Sequence, residues 1–346
     1  LSSIQLHCEP LHLRTAHPFG ISYDTSSDTH NVLVRLEYDG YEGLGEAAPA
    51  EYHNETQATV LAVLKQWQDD GIIGDDPFAV ADVSCRLDKS IAGNASAKAA
   101  VEMAMHDLCG KLVEQPTYRL LGLAGLAQPM TDFTIGIDSL EMVEKKTREA
   151  VEAGYKILKV KQGTGYDREI ITHVRKIAPD IPLRVDANGG WTPKQAVAMS
   201  RFLAEHNVQF IEQPLPKYAH VDDFRFVREN SPLPIYADES VCRSADVARL
   251  AGAIDGVVVK LAKTGGLLEA LKVIHTARAH SMSIMFGCMI ESSIGVTAAA
   301  HLSFLVDHLD LDGALLLAHD PFAGAEYRDG FLHIPSRPGL GVIPRT

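Results

Sequence analysis

The sequence predicts an α/β chain in which a small α+β unit precedes a parallel β/α barrel. Three observations carry that expectation: a hairpin signal within the first fifty residues, a series of eight short apolar runs after about residue 130, and a nearly constant interval between the ends of those runs. The 346 residues are enough for about two domains, and a barrel of this type alone takes about 250. A doubly wound open sheet is the alternative. Eight units favour closure, and no Gly-x-Gly-x-x-Gly follows the first run.

Residues 3–14 read as a strand. Residues 32–38 alternate apolar and polar, Asp39-Gly40 supplies a turn, and residues 41–46 return, which is hairpin chemistry. Helical spacing follows over 56–68 and over 95–112, the second rich in Ala and Met and expected to be buried. The eight runs are then DFTIGI (132–137), KILKVK (156–161), PLRVDA (182–187), VQFIEQ (208–213), PIYADE (234–239), GVVVKL (256–261), SIMFGC (283–288) and DGALLL (312–317), with ends spaced 22 to 27 residues apart. Amphipathic stretches separate them, as the helices of β/α units require.

Composition excludes several function classes. Hydrophobic residues are 46% and charged residues 22%, ordinary for a globular protein. The 32 Lys and Arg against 45 Asp and Glu give a net charge of −13, which argues against nucleic acid, because phosphate binding needs clustered cations. No apolar run reaches the ~18 residues of a membrane span, and the opening LSSIQLHCEP lacks the basic start and apolar centre of a signal peptide. Five scattered Cys without a Cys-x-x-Cys pair suggest reduced thiols and a cytoplasmic protein. The 15 His show no metal-binding spacing.

Charges at the ends of the runs point to the chemistry. Strands of a parallel barrel should be continuously apolar, yet successive runs end in Lys159 and Lys161, Asp186, Glu212, Asp238 and Lys260. In a barrel all these ends lie at one mouth, where active sites of this fold sit. Three carboxylates on neighbouring strands repel one another and call for a cation. Oxygen-only ligands fit a hard divalent ion such as Mg²⁺, with Asp186, Glu212 and Asp238 as ligands and Asn188 and Glu239 just beyond. The lysines fall on the second and sixth strands, half a turn apart on a ring of eight. Two opposed lysines around a metal suit removal of a proton from carbon on one face and its return on the other, through a metal-stabilised enolate.

With these residues in place the chain resembles the enolase superfamily, in its muconate-lactonizing-enzyme-like subgroup, over nearly its whole length. The motifs are KVK (159–161), RVDAN (184–188), IEQPL (211–215), ADES (237–240) and VKLAKTGG (259–266), specific in combination and order. The resemblance implies a modified (β/α)7β barrel over 121–319 and an α+β capping domain over 1–120, completed by the tail at about 320–346. It implies Mg²⁺ on Asp186, Glu212 and Asp238, acid–base catalysis by Lys161 and Lys260, and contact of Lys159 with a substrate carboxylate; Lys263 is taken as structural. These expectations accord with the use of a Lys base with Mg²⁺ in that superfamily.

The subgroup contains several reactions, and the last run separates them. Asp310-Leu311-Asp312 looks like the Asp-x-Asp motif of the dipeptide epimerases, where it binds the α-ammonium group of the substrate; a buried amine needs carboxylate partners. Met289, Ile290 and Thr134 are expected to complete the substrate site, and ESSIGVTAAAH (291–301) resembles the helix after the seventh strand. The implied reaction is inversion of the α-carbon of the carboxy-terminal residue of a dipeptide. N-acylamino acid racemase, o-succinylbenzoate synthase and muconate cycloisomerase remain alternatives, and outside the family a Schiff-base lyase or a peptide-binding protein.

In this family a mobile cap loop reads the substrate side chain, here near residues 17–30. Epimerases acting on L-Ala-D/L-Glu carry an Arg there. Aligned on Pro18-Phe19, this chain has Asp24, with Asp28 nearby, which disfavours a Glu side chain and favours a cationic one. A second cap loop near 52–54 is expected to close the pocket. Relatives often assemble through barrel or cap surfaces, so a homo-oligomer is open.

Overall fold

The computed structural model describes residues 3–22, 24–124 and 128–345; the side chain of Asp24 lies outside the described residues. The chain opens with an antiparallel sheet of three strands, β1 (Gln5–Ile21), β2 (Asp24–Tyr38) and β3 (Tyr41–Ala47), in that order. Asp39 and Gly40 both take positive φ, 50° and 81°, as the tight turn between β2 and β3 requires. Three helices pack on this sheet: α1 (Gln57–Asp69), α2 (Val80–Ser90) and α3 (Ala95–Leu112). Thr56 and Thr59 form a capping box that starts α1. Helix α3 is buried along nearly its whole length and lies close on β3, where a Cβ at Gly45 would stand 1.9 Å from the Ala100 carbonyl oxygen. A side chain at Gly45 would therefore push the helix off the sheet.

The expected helices over 56–68 and 95–112 are present within a residue, whereas α2 was not foreseen. Only Val83 and Leu87 of α2 are buried, so its apolar stripe is too narrow to show as a pattern. The expected loop near 17–30 is instead a continuation of the ribbon. β1 and β2 stay paired to Ile21↔Asp24, with one register shift between Arg14 and Phe19.

A short helix, α4 (Thr117–Leu120), leads to the barrel. Eight parallel strands follow: β4 (Phe133–Ile135), β5 (Leu158–Lys161), β6 (Leu183–Asp186), β7 (Val208–Glu212), β8 (Ile235–Ala237), β9 (Gly256–Val259), β10 (Ser283–Gly287) and β11 (His308–Asp310). Between them run α5 (Leu140–Glu152), α6 (Asp167–Ile177), α7 (Pro193–Glu205), α8 (Val221–Asn230), α9 (Ser244–Leu250), the single turn α10 (Leu261–Thr264), α11 (Leu267–Ala279) and α12 (Ser293–Ala300). A parallel bridge, Thr131↔Leu309, and the bond from Asp132 N–H to the Leu309 carbonyl, 3.1 Å, join the first and last strands. The α/β barrel with its antiparallel amino-terminal sheet is the predicted architecture.

The run at 312–317 is not the eighth strand; β11 ends at Asp310 and residues 313–316 form a 3-10 turn. The Asp312 carbonyl accepts from Leu315 and Leu316, at 2.8 and 3.2 Å, and Gly313 lies so close to the Met289 carbonyl oxygen that a Cβ would stand 2.3 Å from it. An apolar run by itself does not distinguish a strand from a turn packed on the same core.

The barrel core takes in Leu33, Leu44, Ala99 and Met103 of the cap, so the two units share buried surface. The tail returns to the cap: Gly339 accepts from Thr117 N–H at 2.8 Å, and Asp107 of α3 accepts from Leu340 N–H at 2.7 Å. No helix among the described residues is long and apolar enough to cross a membrane.

Candidate active site

Register puts the charges together. Lys161 on β5 is level with Asp186 on β6, and Asp186 with Glu212 on β7. Asp238 follows β8 directly and Lys260 follows β9. All five end their strands at the same mouth. Left-handed residues bend the chain out of the barrel after two of these strands, Asn188 at φ 41° and Gln213 at φ 37°. Asn188 remains useful there: its side chain donates to Asp186 Oδ2 at 3.2 Å and to Glu239 Oε1 at 3.0 Å.

Each carboxylate of the triad meets a lysine. Lys161 Nζ is 2.6 Å from Asp186 Oδ2, Lys159 Nζ 2.7 Å from Glu212 Oε2, and Lys260 Nζ 2.7 Å from Asp238 Oδ2. Lys263 Nζ is 2.5 Å from Asp238 Oδ1 and donates to the Val258 carbonyl, which supports a structural place for it. Lys159 lies deepest, 1% exposed, and also meets Asp186 at 3.3 Å and Asp310 at 2.6 Å. Lys161 and Lys260 sit on strands two and six of the ring, across the mouth from each other.

The donor set fits a divalent cation. Ligand oxygens of Asp186, Glu212 and Asp238 lie within 4.8 Å of one another, and all three residues are buried. Glu212 Oε1 has no hydrogen-bond partner among the described residues and is shut off from solvent. Seven buried carboxylates join this network by ion pairs and hydrogen bonds: Asp132, Asp186, Glu212, Asp238, Glu239, Asp310 and Asp312. Five buried cations, Lys159, Lys161, Lys260, Lys263 and Arg184, face them. Oxygen donors select a hard ion.

The electrostatics follow the pairings. Burial opposes ionisation of Asp186 and Asp238, but Lys161 holds Asp186 below the usual carboxylate range and Lys260 with Lys263 holds Asp238 well below it. Burial and the Asp186 charge push Glu212 well up. Glu239 is pushed to about 7 by burial and by Asp238. Burial opposes the charge on Lys260, and Asp238 outweighs it and raises the ammonium pKa.

Above the lysines lies a cavity of about 1000 Å³ between barrel and cap. Lys161, Lys260, Thr134, Asp310, Asp312, Met289 and Ile290 all line it, so the structure brings the expected substrate residues to one chamber. Lys159 and the carboxylate triad lie outside its wall. Asp310 ends β11, while Asp312 lies past the strand and is held by the Thr134 N–H at 2.6 Å; both still face the cavity. Burial is offset at Asp310 by Lys159, which holds its pKa below the usual range, while burial and Asp310 push Asp312 up to about 6. The cap contributes His12, Asp28, His30, Glu51 and Tyr52, whose hydroxyl reaches Met289 Sδ at 3.3 Å. The backbone of Asp24 pairs with Ile21 at the tip of the ribbon; its side chain, the expected specificity group, is outside the described residues. The sequence reading missed Asp132 and Arg184, a buried pair beneath the site; Arg184 sits two residues before Asp186 on the same inward face, and strand period would have revealed it.

A closed parallel barrel under an α+β cap, with a strand-end carboxylate triad flanked by opposed lysines, defines the enolase class of enzymes. The chain belongs to the mandelate racemase/muconate lactonizing enzyme family of that class: residues 7–122 match its N-terminal domain and residues 141–346 the enolase C-terminal domain-like family. Within it the chain is 41% identical over 335 residues to the L-Ala-D/L-Glu epimerase of Bacteroides thetaiotaomicron, covering 96% of this chain and 86% of that one. It is 35% identical to the hydrophobic dipeptide epimerase of Roseobacter litoralis, covering 96% and 97%. The dipeptide epimerase of Cytophaga hutchinsonii, solved with Mg and D-Ala-L-Val, superposes with a TM-score of 0.94 at 31% identity, covering 99% of this chain and 96% of that one.

Proposed function

We propose that the chain is a magnesium-dependent dipeptide epimerase that inverts the α-carbon of the carboxy-terminal residue by two-base 1,1-proton transfer. The observation that carries this reading is the placement of two buried acids, Asp310 and Asp312, on the wall of the cavity that Lys161 and Lys260 enter from opposite sides. An acyl group or a muconate has no use for that acidic pair, whereas the ammonium group of a dipeptide needs it.

The amino terminus of the dipeptide sits on Asp310 and Asp312, with Thr134 holding the second acid in place through its N–H. Asp186, Glu212 and Asp238 would hold the ion. When bound, Mg²⁺ supplies the positive charge that competes with the lysines for their carboxylates and balances the charge developing on the substrate carboxylate. One lysine Nζ removes the α-proton, and the electron pair delocalises into the substrate carboxylate. The opposite lysine Nζ delivers a proton to the other face, which inverts the centre. Lys159, beneath Lys161, directs its charge towards the same carboxylate. Met289 and Ile290 wall the chamber and exclude water.

For the carboxy-terminal residue the reading favours side chains other than Glu, cationic ones first. The described cap residues of the cavity include Asp28, Glu51 and Glu55 and neither Lys nor Arg, and Asp24 lies four residues before Asp28 in the sequence. Five free cysteines fit a cytoplasmic setting. The test is a mass-spectrometric screen of dipeptide pools in D₂O with Mg²⁺. Inverted members gain one deuterium at the α-carbon, and Lys- and Arg-ended members exchange fastest. If no dipeptide exchanges while Mg²⁺ binds, the epimerase reading fails; if Glu-ended members lead, the cationic preference fails alone.

A further inference from the structure

The residue after the second carboxylate of the triad carries two costs. Gln213 is fully buried, and its φ of 37° lies in the left-handed region, where a residue with a Cβ is strained. A buried amide side chain also needs a partner for each of its donors and for its acceptor. Gly would turn the chain out of the strand without either cost. The reason for Gln lies in its contacts.

Every polar group of Gln213 is used. Its N–H donates to the Tyr236 carbonyl on β8 at 2.8 Å. In a regular parallel ladder the N–H and carbonyl of one residue point to the same neighbouring strand, so the Gln213 carbonyl would next take the Asp238 N–H. It does not. The carbonyl is turned to the other side and accepts from the Gly189 N–H, beyond the end of β6, at 2.8 Å. The side chain fills the gap: Gln213 Oε1 accepts from the Asp238 N–H at 2.9 Å and from the Ser240 N–H at 3.3 Å. Nε2 fixes the amide from behind, donating to the Leu215 carbonyl at 2.6 Å and to the Ser240 hydroxyl oxygen at 2.8 Å.

These bonds reach the ends of all three strands that carry the triad. Gln213 is joined to Glu212 by the chain, to the segment after Asp186 through Gly189, and to Asp238 through that residue's own N–H. Strand β8 ends at Ala237, so Asp238 lies past the ladder and has this side chain in place of a strand partner. Three neighbouring carboxylates repel one another, and a backbone fixed in this way resists their spreading.

We infer that Gln213 is a positioning residue for the metal site: its side-chain carbonyl replaces the strand carbonyl that would have received Asp238, and so sets Asp238 against Asp186 and Glu212 before an ion arrives. The inference rests on the magnesium reading of the site.

The test measures Mg²⁺ affinity of the full chain by titration calorimetry, without substrate. Q213M keeps the length and loses the acceptor. Q213G takes φ 37° without strain, so it folds even where Q213M does not, and it too lacks the acceptor. Both weaken Mg²⁺ binding by about tenfold or more, the scale of a lost partner behind a metal ligand. Q213E keeps an oxygen for the Asp238 N–H and weakens binding by less than about threefold. The rise in thermal midpoint on adding Mg²⁺ is correspondingly smaller in Q213M and Q213G than in the wild type or Q213E. A merely structural glutamine would lower the metal-free midpoint and leave the affinity alone. Wild-type affinity in either Q213M or Q213G, or a loss in Q213E as large as theirs, overturns the inference while the magnesium reading stands. If the wild type itself binds no Mg²⁺, the magnesium reading fails and the inference falls with it.

Discussion

Buried carboxylates gather in two places in this chain, and the two places balance their charge differently. At the barrel mouth Asp186, Glu212, Asp238 and Asp310 face lysine ammonium groups. Along the seam with the cap, the acids sit on helix N-termini. Glu46 of β3 accepts from the Ser292 and Gly295 N–H groups at the start of α12, at 3.0 and 3.2 Å, and from the Ser292 hydroxyl at 2.6 Å. Glu102 of α3 accepts from Leu268 N–H at 2.7 Å, at the start of α11. Backbone dipoles are fixed partners that cannot leave. Lysines are mobile ones that can be displaced, protonated or deprotonated. The seam therefore holds the two units together, while the mouth, in the proposed function, exchanges its partners for a metal ion and a substrate.

The largest effects are expected from the mobile partners. Lys161→Ala or Lys260→Ala should lower epimerisation by about 10³-fold or more, because in the proposed mechanism each supplies a proton transfer that no neighbour can replace. Each variant should still exchange the α-proton of one epimer with solvent, since the surviving lysine serves one face. Exchange of both epimers by either variant in D₂O would mean that the faces are not divided between the two lysines.

Next comes recognition. Asp310→Asn or Asp312→Asn should raise the KM for a dipeptide by about tenfold to a hundredfold, the value of a charge-assisted bond. An amino-acetylated analogue, which lacks the ammonium, should lose nothing further in these variants. Equal losses for both substrates would assign the acids to the framework and not to the amine.

The seam should respond in stability instead. Glu46→Ala leaves Ser292 and Gly295 N–H groups without their acceptor and should cost about 1–3 kcal/mol, with a lower thermal midpoint and a rise in KM through the attached Met289–Ile290 segment. Asn31 reinforces this link, since its Nδ2 donates to Glu46 Oε1 at 2.7 Å and to the Ile290 carbonyl at 3.0 Å. A variant with an unchanged midpoint and unchanged kinetics would detach the seam from the site.

The same contrast explains what could be read in advance. Lys161, Asp186, Glu212, Asp238 and Lys260 were legible because a parallel barrel repeats one register, so a charge ending each apolar run announces a shared mouth. Asp310 and Asp312 were legible as a pair, though the strand was placed four residues late, because an apolar run does not show where a strand stops. Glu46 and Glu102 gave no signal. Their partners lie 246 and 166 residues away, and a lone Glu in a strand or helix carries no mark of the helix terminus it will meet. Asp132 was hidden likewise, its partner Arg184 being 52 residues distant.

The smallest expected effect belongs to Glu102, and it tests whether a dipole balances a buried carboxylate completely. Burial pushes its pKa up to about 7, and the Leu268 N–H offsets only part of that. One oxygen, Oε2, lacks a hydrogen-bond partner among the described residues. In the unfolded chain the group titrates near its ordinary ~4.3. Below that value both states are protonated and Glu102 makes no pH-dependent contribution. As pH rises towards 7 the unfolded state loses the proton first, so the folded state becomes relatively less stable; above 7 the penalty is constant. Glu102→Gln cannot ionise and keeps an acceptor for Leu268. Its thermal midpoint relative to the wild type should rise by a few degrees, about 2–4, between pH 5 and pH 8. A difference that stays flat across that range would show that the helix terminus fully balances the charge, and the contrast between seam and mouth would then be complete.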